Sequence, residues 1–278
     1  MQDSITMIYC VCDDFLQAHA IRDDVQCRWS SAQVLTTALV AAAHFGGNID
    51  KSRRFLIEHG YIRCVLSRSR LNRRLHALPE WLFEALFGML SQVFQHRNVS
   101  RTYLVDSMPI AVCQPVRLHH CRRFPFARCR SLLGYSASRK RYFYGLRLHL
   151  VTTQQGEPVE FILADGSCAD LAVFKQMNLD LEAGSVLLAD KAYNDYGEEE
   201  LLRDAGDLWL MPSRKKNLQR QWQPWQEAQL KTKRQRIETT FATVQRALAG
   251  HIHAVTPKGF VCKILACLIA YSLHCLQR

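Results

Sequence analysis

Two hydrophobic periods divide this chain. Up to about residue 98 the apolar positions recur with helical spacing. Ser30 or Ser31 can cap a helix through Phe45, rich in Ala and Leu and closed by Gly46-Gly47-Asn48. Asp50 is placed to cap a helix over 51–59, ended by Gly60. Ser67 or Ser69 precedes a short helix carrying Arg70, Arg73, Arg74 and His76. Pro79 opens a fourth, to about Gln95, with Trp81, Leu82, Leu86 and Leu90 as its apolar stripe. Short helices split by glycine turns, one of them rich in arginine, suggest a helix-turn-helix-like DNA-binding region over 1–98. A plain helical bundle with a solvated basic face fits the same pattern.

From Arg101 the period changes. Thr102 to Val105 is a β-rich run ending at Asp106. Tyr142 to Thr152 alternates, Leu146, Leu148 and Leu150 on one face and Arg147 and His149 on the other. After the turn at 154–157, Pro158 to Leu163 completes a hairpin. Asp170 can cap a helix through Leu179, and Ser185 to Ala189 is a short strand of the kind buried on both faces, ending at Asp190. Then come a helix over 196–205, a strand over 208–211, an amphipathic helix over 231–249 and an apolar helix over 260–276. Three antiparallel strands, then helix–strand–helix–strand, then helices, is the order of a ribonuclease H-like α/β domain over 99–278, a mixed sheet flanked by helices.

Charge sharpens this picture. The 278 residues carry a formal net charge of +11, with 48% apolar and 22% charged positions, an ordinary globular composition. The charge is uneven. Residues 51–101, 102–156 and 208–278 sum to +7, +8 and +10, whereas 157–207 sum to −10. Concentrated basic charge points to a polyanion, and DNA is the first candidate. The 11 cysteines are scattered without a C-x-x-C pair, and the first residues lack a basic, apolar leader. A reducing cytoplasm is therefore expected, with no membrane partner.

Asp106 is the only acid between Glu84 and Glu157, and Glu238 the only one after Glu227. Asp106 and Asp190 each end a predicted strand, where open α/β sheets bind ligands, and Glu238 projects from a helix able to pack beside them. Three such carboxylates could hold two Mg²⁺ ions about 3.5–4 Å apart, the arrangement that supports in-line phosphoryl transfer. Other readings stay open. Asp106 could cap a turn before Pro109, Asp190 could cap the following helix, and Glu238 could pair with Arg234 one turn away for ~0.2–0.5 kcal/mol.

Around the acids, Lys191 and Tyr193 follow Asp190 closely enough to reach a scissile phosphate, and Lys231, Lys233, Arg234 and Arg236 precede Glu238. Arg139, Lys140, Arg141, Tyr142 and Tyr144 interleave charge with aromatics, which suits a phosphate backbone with stacked bases, or a charge-protected hairpin edge. Cys113, Cys121 and Cys129, with His119 and His120, form a conceivable zinc set, although their spacing fits no familiar finger. His251 and His253 are expected at a helix end. Asp165 and Asp170 read as turn and cap residues.

Three motifs carry a family resemblance. Tyr-Leu-Val-Asp106-Ser-Met-Pro-Ile-Ala-Val-Cys113, Leu-Leu-Ala-Asp190-Lys-Ala-Tyr-Asn-Asp-Tyr196 and Arg234-Gln-Arg-Ile-Glu238-Thr-Thr-Phe241 stand in order, the acids 84 and 48 residues apart. Together they resemble the acidic motifs of bacterial insertion-sequence DDE transposases, and most nearly the family typified by insertion sequence 982. Residues 69–76, 139–147 and 253–260 fit the same family, while 117–133 depart from it. The resemblance implies a ribonuclease H-like catalytic domain and a helical DNA-binding region ahead of it. It implies Mg²⁺-dependent cleavage and strand transfer at terminal inverted repeats, with Asp106, Asp190 and Glu238 as metal ligands and Mn²⁺ able to substitute. The expected partners are inverted-repeat and target DNA and a second copy of the chain in the synaptic complex. The expected place is the bacterial cytoplasm, at the nucleoid when DNA-bound. An inactive DNA-binding relic and a nuclease of the same fold that cuts without joining are the alternatives.

Overall fold

A helix made almost wholly of Ala, Val, Leu and Thr organises the first part of the chain. In the computed structural model, α2 (Ser31–His44) buries eleven of its residues and packs against α1 (Gln2–Ala18), α3 (Ile49–Glu58), α4 (Arg68–Ala77) and α9 (Pro257–Leu276). The structure describes the chain apart from Arg123, Phe126, Ser138, residues 248–251, His253 and Arg278, and the side chains of Gln229 and Ala247. His251 and His253, expected at a helix end, lie outside the described residues.

The chain packs as two compact units, residues 1–90 with 243–278, and residues 91–242. In the first, Ser30 opens α2 with a reciprocal capping box. Its hydroxyl accepts from Gln33 N, and Gln33 Oε1 accepts from Ser30 N at 3.0 Å. Gly47, at φ +75°, ends that helix by donating its N–H to Ala41 O, a left-handed geometry that glycine adopts without steric cost. The next cap departs from expectation. Asn48 caps α3, and Asp50 instead lies in the first turn, where it pairs with Arg53 and Arg54. Ser67 caps α4, and Thr256 caps α9 through Gly259 N. A helix that the sequence pattern left unassigned, α1, supplies Ile5, Ile8, Cys12, Phe15 and Leu16 to this core. Among the described residues α9 is the one helix long and apolar enough to cross a membrane. Its apolar window is 78% buried inside the protein, as a core helix would be.

The unit boundaries fall within α5 (Trp81–Arg97) and α8 (Pro224–Ala247). Between them lies a mixed sheet. Its strands are β1 (Thr102–Cys113), β2 (Leu133–Ser136), β3 (Arg141–Thr153), β4 (Pro158–Asp165), β5 (Val186–Ala189) and β6 (Trp209–Pro212). The order is β2-β3-β1-β5-β6, and β4 also pairs with β3. The pairs β1–β3, β2–β3 and β3–β4 are antiparallel, while β1–β5 and β5–β6 are parallel. With α6 (Asp170–Phe174) and α7 (Tyr196–Gly206) packed on it, this is a mixed sheet flanked by helices, consistent with a ribonuclease H-like domain.

The sheet core is built by the alternation on β3. Leu148 and Leu150 are fully buried, each worth about 1.5–3 kcal/mol relative to exposure. His149, on the opposite face, is buried as completely, so both faces are covered there.

Two elements differ from the sequence pattern. The strand expected to end at Asp106 continues to Cys113, because β3 pairs with it as far as Cys113. The helix expected over 170–179 stops at Phe174. Turns at 175–176 and 183–184 then lead to β5.

Candidate active site

Strand register brings the first two acids together. The parallel pairing of β1 and β5 sets Thr102 opposite Val186, Tyr103 opposite Leu187 and Leu104 opposite Leu188. The same offset carries Asp106 to the level of Asp190. There β5 ends and β1 continues with β3 as its partner, so the two carboxylates sit at the crevice where the parallel pair opens.

Each is held locally. Asp190 caps the 3-10 turn Lys191–Tyr193, its Oδ1 accepting from Lys191 N at 2.5 Å. The helix that follows, α7, is capped by Asp195 instead, so Asp190 caps this short turn alone. Asp106 Oδ1 accepts from the backbone N–H of Ser107 at 2.8 Å. Burial pushes the Asp106 carboxyl up to about 6, and the charges of Asp190 and Asp170 add to the rise, against the pull of Ser107 N–H and of Arg234.

Arg234, on α8, reaches Asp190, Nη1 to Oδ1 at 3.2 Å. Its partner is Asp190, and the pair with Glu238 that helical spacing allowed does not form. Glu238 stands one turn further along α8 with its side chain exposed. The structure thus brings Asp106 and Asp190 together and leaves Glu238 outside the cluster. Among the described residues no group of three His, Cys, Asp or Glu side chains is disposed to hold a metal, Cys113, Cys121 and Cys129 included.

The basic residues divide by exposure. Arg139, Lys140 and Arg141 lie exposed at the β2–β3 turn, and Lys191, Lys231 and Arg236 are exposed, with Lys233 half-buried. On α4, Arg70 and Arg73 are exposed.

Three expected DNA contacts point inward instead. Arg74 donates to Asp23 Oδ1 at 2.7 Å and to Trp29 O at 3.1 Å, and also meets Cys27 Sγ. It ties α4 to the loop before α2. Tyr144 is fully buried, its hydroxyl donating to Phe124 O at 2.7 Å. The exposed aromatics of that hairpin are Tyr142 and Tyr135, edge to face at 5.1 Å. Tyr193 is folded under the 3-10 turn, its ring edge-on to Phe174 at 5.5 Å. Its hydroxyl, buried and without a hydrogen-bond partner among the described residues, feels the charges of Asp170, Asp106 and Asp190.

The sequence pattern reads Asp170 as a helix cap. The cap position belongs to Ala169, and the Asp170 carboxylate turns to Ser107 and Arg147. Burial holds the His149 imidazole down at about 4, so it is neutral beside Asp170 at 3.9 Å and forms no ion pair there. Arg147 and His149 were visible as polar positions on an alternating strand, but nothing in the local pattern said that this face is covered.

Residues 97–273, more than half the chain, match the family described as transposase DDE domain. The chain belongs to the transposase DDE-domain family. Asp106, Asp190 and Glu238 all lie within the matched span of this transposase. No curated protein matches the chain, and no solved structure does.

DDE transposases generally use divalent metal ions. The donor chemistry of this transposase suits one: two adjacent carboxylates offer hard oxygens, and a cation would relieve the unfavourable burial of Asp106 charge. The cost of that charge is measurable. The Asp106 contribution to stability is fully present below its unfolded value of 3.8 and is lost as pH rises through about 6. In chelator at pH 8, Asp106→Asn is expected to stabilise the fold by about 2–3 kcal/mol. The gain should shrink as pH falls toward 4. His149, with its lowered value, runs the opposite way with pH, and the wild-type comparison cancels it. Thermal unfolding of both proteins across this range checks the result, and a gain independent of pH would disprove it.

Proposed function

We propose that the chain is a DNA transposase that cleaves the ends of an insertion sequence and joins them to target DNA, within the group typified by insertion sequence 982. Asp106 and Asp190, side by side at the open end of the β1–β5 pair, carry this reading. They and Glu238 are the proposed ligands of two Mg²⁺ ions, for which Mn²⁺ can substitute. Bound metal supplies positive charge where negative charge builds on the phosphoryl oxygens.

The protein's own part is to hold and orient. The Lys191 and Ser107 N–H groups fix the two aspartates. Arg234 balances Asp190 in this structure, and its helix carries Glu238 about 6 Å further along. A slide of α8 by about one turn, withdrawing Arg234, would bring Glu238 toward the pair. Lys191, Lys231, Lys233 and Arg236, with Arg139, Lys140 and Arg141 on the hairpin, are the proposed backbone contacts. Arg70 and Arg73 serve the same purpose in a DNA-binding region over 1–98, ahead of the catalytic region 99–278. A homodimer in the bacterial cytoplasm would pair the two inverted repeats.

The deciding experiment incubates the full chain with DNA carrying the element's ends and a target plasmid, in Mg²⁺ or Mn²⁺. Metal-dependent nicks at the ends and joined products are expected. Nicks without joining would make it a nuclease, and end binding without nicks would make it an inactive relic.

A further inference from the structure

A fourth carboxylate is built into the ground beneath Asp106. Asp170 Oδ1 accepts from Ser107 Oγ at 2.7 Å and from Arg147 Nη1 at 3.3 Å, and the same Nη1 lies 3.3 Å from Ser107 Oγ. Arg147 Nη2 is anchored on Tyr135 O at 3.1 Å. Ser107 links this group to the site, because its backbone N–H is the donor to Asp106. Register explains the convergence. Ser107 stands opposite His149, and Pro109 opposite Arg147, so these side chains share one face of adjacent strands.

A surface turn or cap would spend the Asp170 carboxylate on N–H groups of its own helix. Here it crosses to the sheet instead. A second observation marks the same place. The Tyr193 hydroxyl and both ring nitrogens of His149 are buried polar atoms without hydrogen-bond partners among the described residues. The first of them sits under the influence of Asp170, Asp106 and Asp190 together. Such groups are costly to leave unsatisfied in a structural core, and they concentrate at functional sites.

We propose that Asp170 is a positioning residue of the active site, which through Ser107 and Arg147 fixes the β1 backbone from which Asp106 meets a divalent cation. The inference rests on the proposed function. Two adjacent aspartates repel, and a ligand on a bare strand would swing away from its neighbour. The Ser107–Asp170–Arg147 link removes that freedom, as partners behind metal ligands commonly do.

The test measures Mn²⁺ binding to the full chain without DNA, by electron paramagnetic resonance, with circular dichroism as the control for folding. Asp170→Ala is expected to weaken Mn²⁺ binding roughly 10–100-fold with unchanged dichroism. Ser107→Ala should weaken it in the same direction. The double variant should bind within twofold of Asp170→Ala, because both changes cut one link. Asp170→Asn, whose amide oxygen still accepts from Ser107, should recover part of the affinity. Binding within twofold of wild type in Asp170→Ala overturns the proposal, as do single effects that multiply in the double variant. Should Asp170→Ala fail to fold, Ser107→Ala decides alone: unchanged Mn²⁺ affinity overturns the proposal. A wild type that binds Mn²⁺ but cuts no DNA overturns the proposed function and leaves this inference standing. A wild type that binds no Mn²⁺ overturns both.

Discussion

Asp190→Asn is expected to lower cleavage of element ends by at least roughly 10³-fold while end binding stays within a few-fold of wild type. The substitution separates charge from structure. An asparagine oxygen can still accept from Lys191 N, so the 3-10 turn that Asp190 caps is kept. What disappears is the negative charge beside Asp106, and with it the partner of Arg234. Glu238→Gln should cost as much, although Glu238 is exposed and makes no ion pair with Arg234 in this structure. Equal losses would mean that α8 delivers Glu238 during the reaction. Single-turnover cleavage at saturating DNA, with end affinity measured by gel shift, reads both variants. Wild-type cutting by Asp190→Asn would remove it from the site, and wild-type cutting by Glu238→Gln would leave two acids with an unidentified third.

Glu199→Ala is expected to cost the fold about 3–5 kcal/mol. Arg214 and Glu199 form a buried bidentate pair, at 2.5 and 2.7 Å. Their side chains are only 3% and 4% exposed. The guanidinium also lies over Trp222 at 4.5 Å and Tyr196 at 5.3 Å, and it donates to Asn194 Oδ1 at 3.1 Å. Deleting the carboxylate leaves a buried cation without its counter-charge, which is far worse than never having built the pair. The consequence reaches the site. Asn194 donates to Lys191 O at 2.9 Å and to Ser213 O at 2.7 Å, bracing the turn that begins at Asp190. Urea unfolding at neutral pH measures the loss. A cost below about 1 kcal/mol would show that the pair is solvated and structurally idle.

Much of this architecture was legible in the chain. The leucine alternation on β3, the short apolar run before Asp190 and the glycine-closed helices identify themselves by local period, because one face must be buried whatever the neighbours are. The two acids in basic surroundings stand out for a similar reason: an isolated carboxylate among arginines changes the local field wherever it lies. Misreadings gather where a side chain's role depends on what covers it. Tyr144 looked like a DNA-stacking aromatic and Tyr193 like a contact to the scissile phosphate, yet carbonyls at Phe124 and Cys129 enclose one and Phe174 the other. Arg74 looked like a phosphate contact but answers Asp23, 51 residues away. Asp170 looked like a cap, since an acid at a predicted helix start is locally favourable. Only the neighbouring strand reveals its partners.

By itself, then, the sequence determined the helix and strand periods, the basic and acidic segments, and three acidic motifs that resemble those of DDE transposases. Tertiary structure alone decided that Asp106 lies within a long strand, in register with Asp190, and that Arg234 pairs with Asp190 while Glu238 stays outside. It alone placed Ser107, Arg147 and Asp170 behind Asp106. The physical reason is that periodicity records only which face a residue presents to some apolar neighbour. Strand register and ion pairing depend on groups tens of residues apart, which meet only when the chain folds.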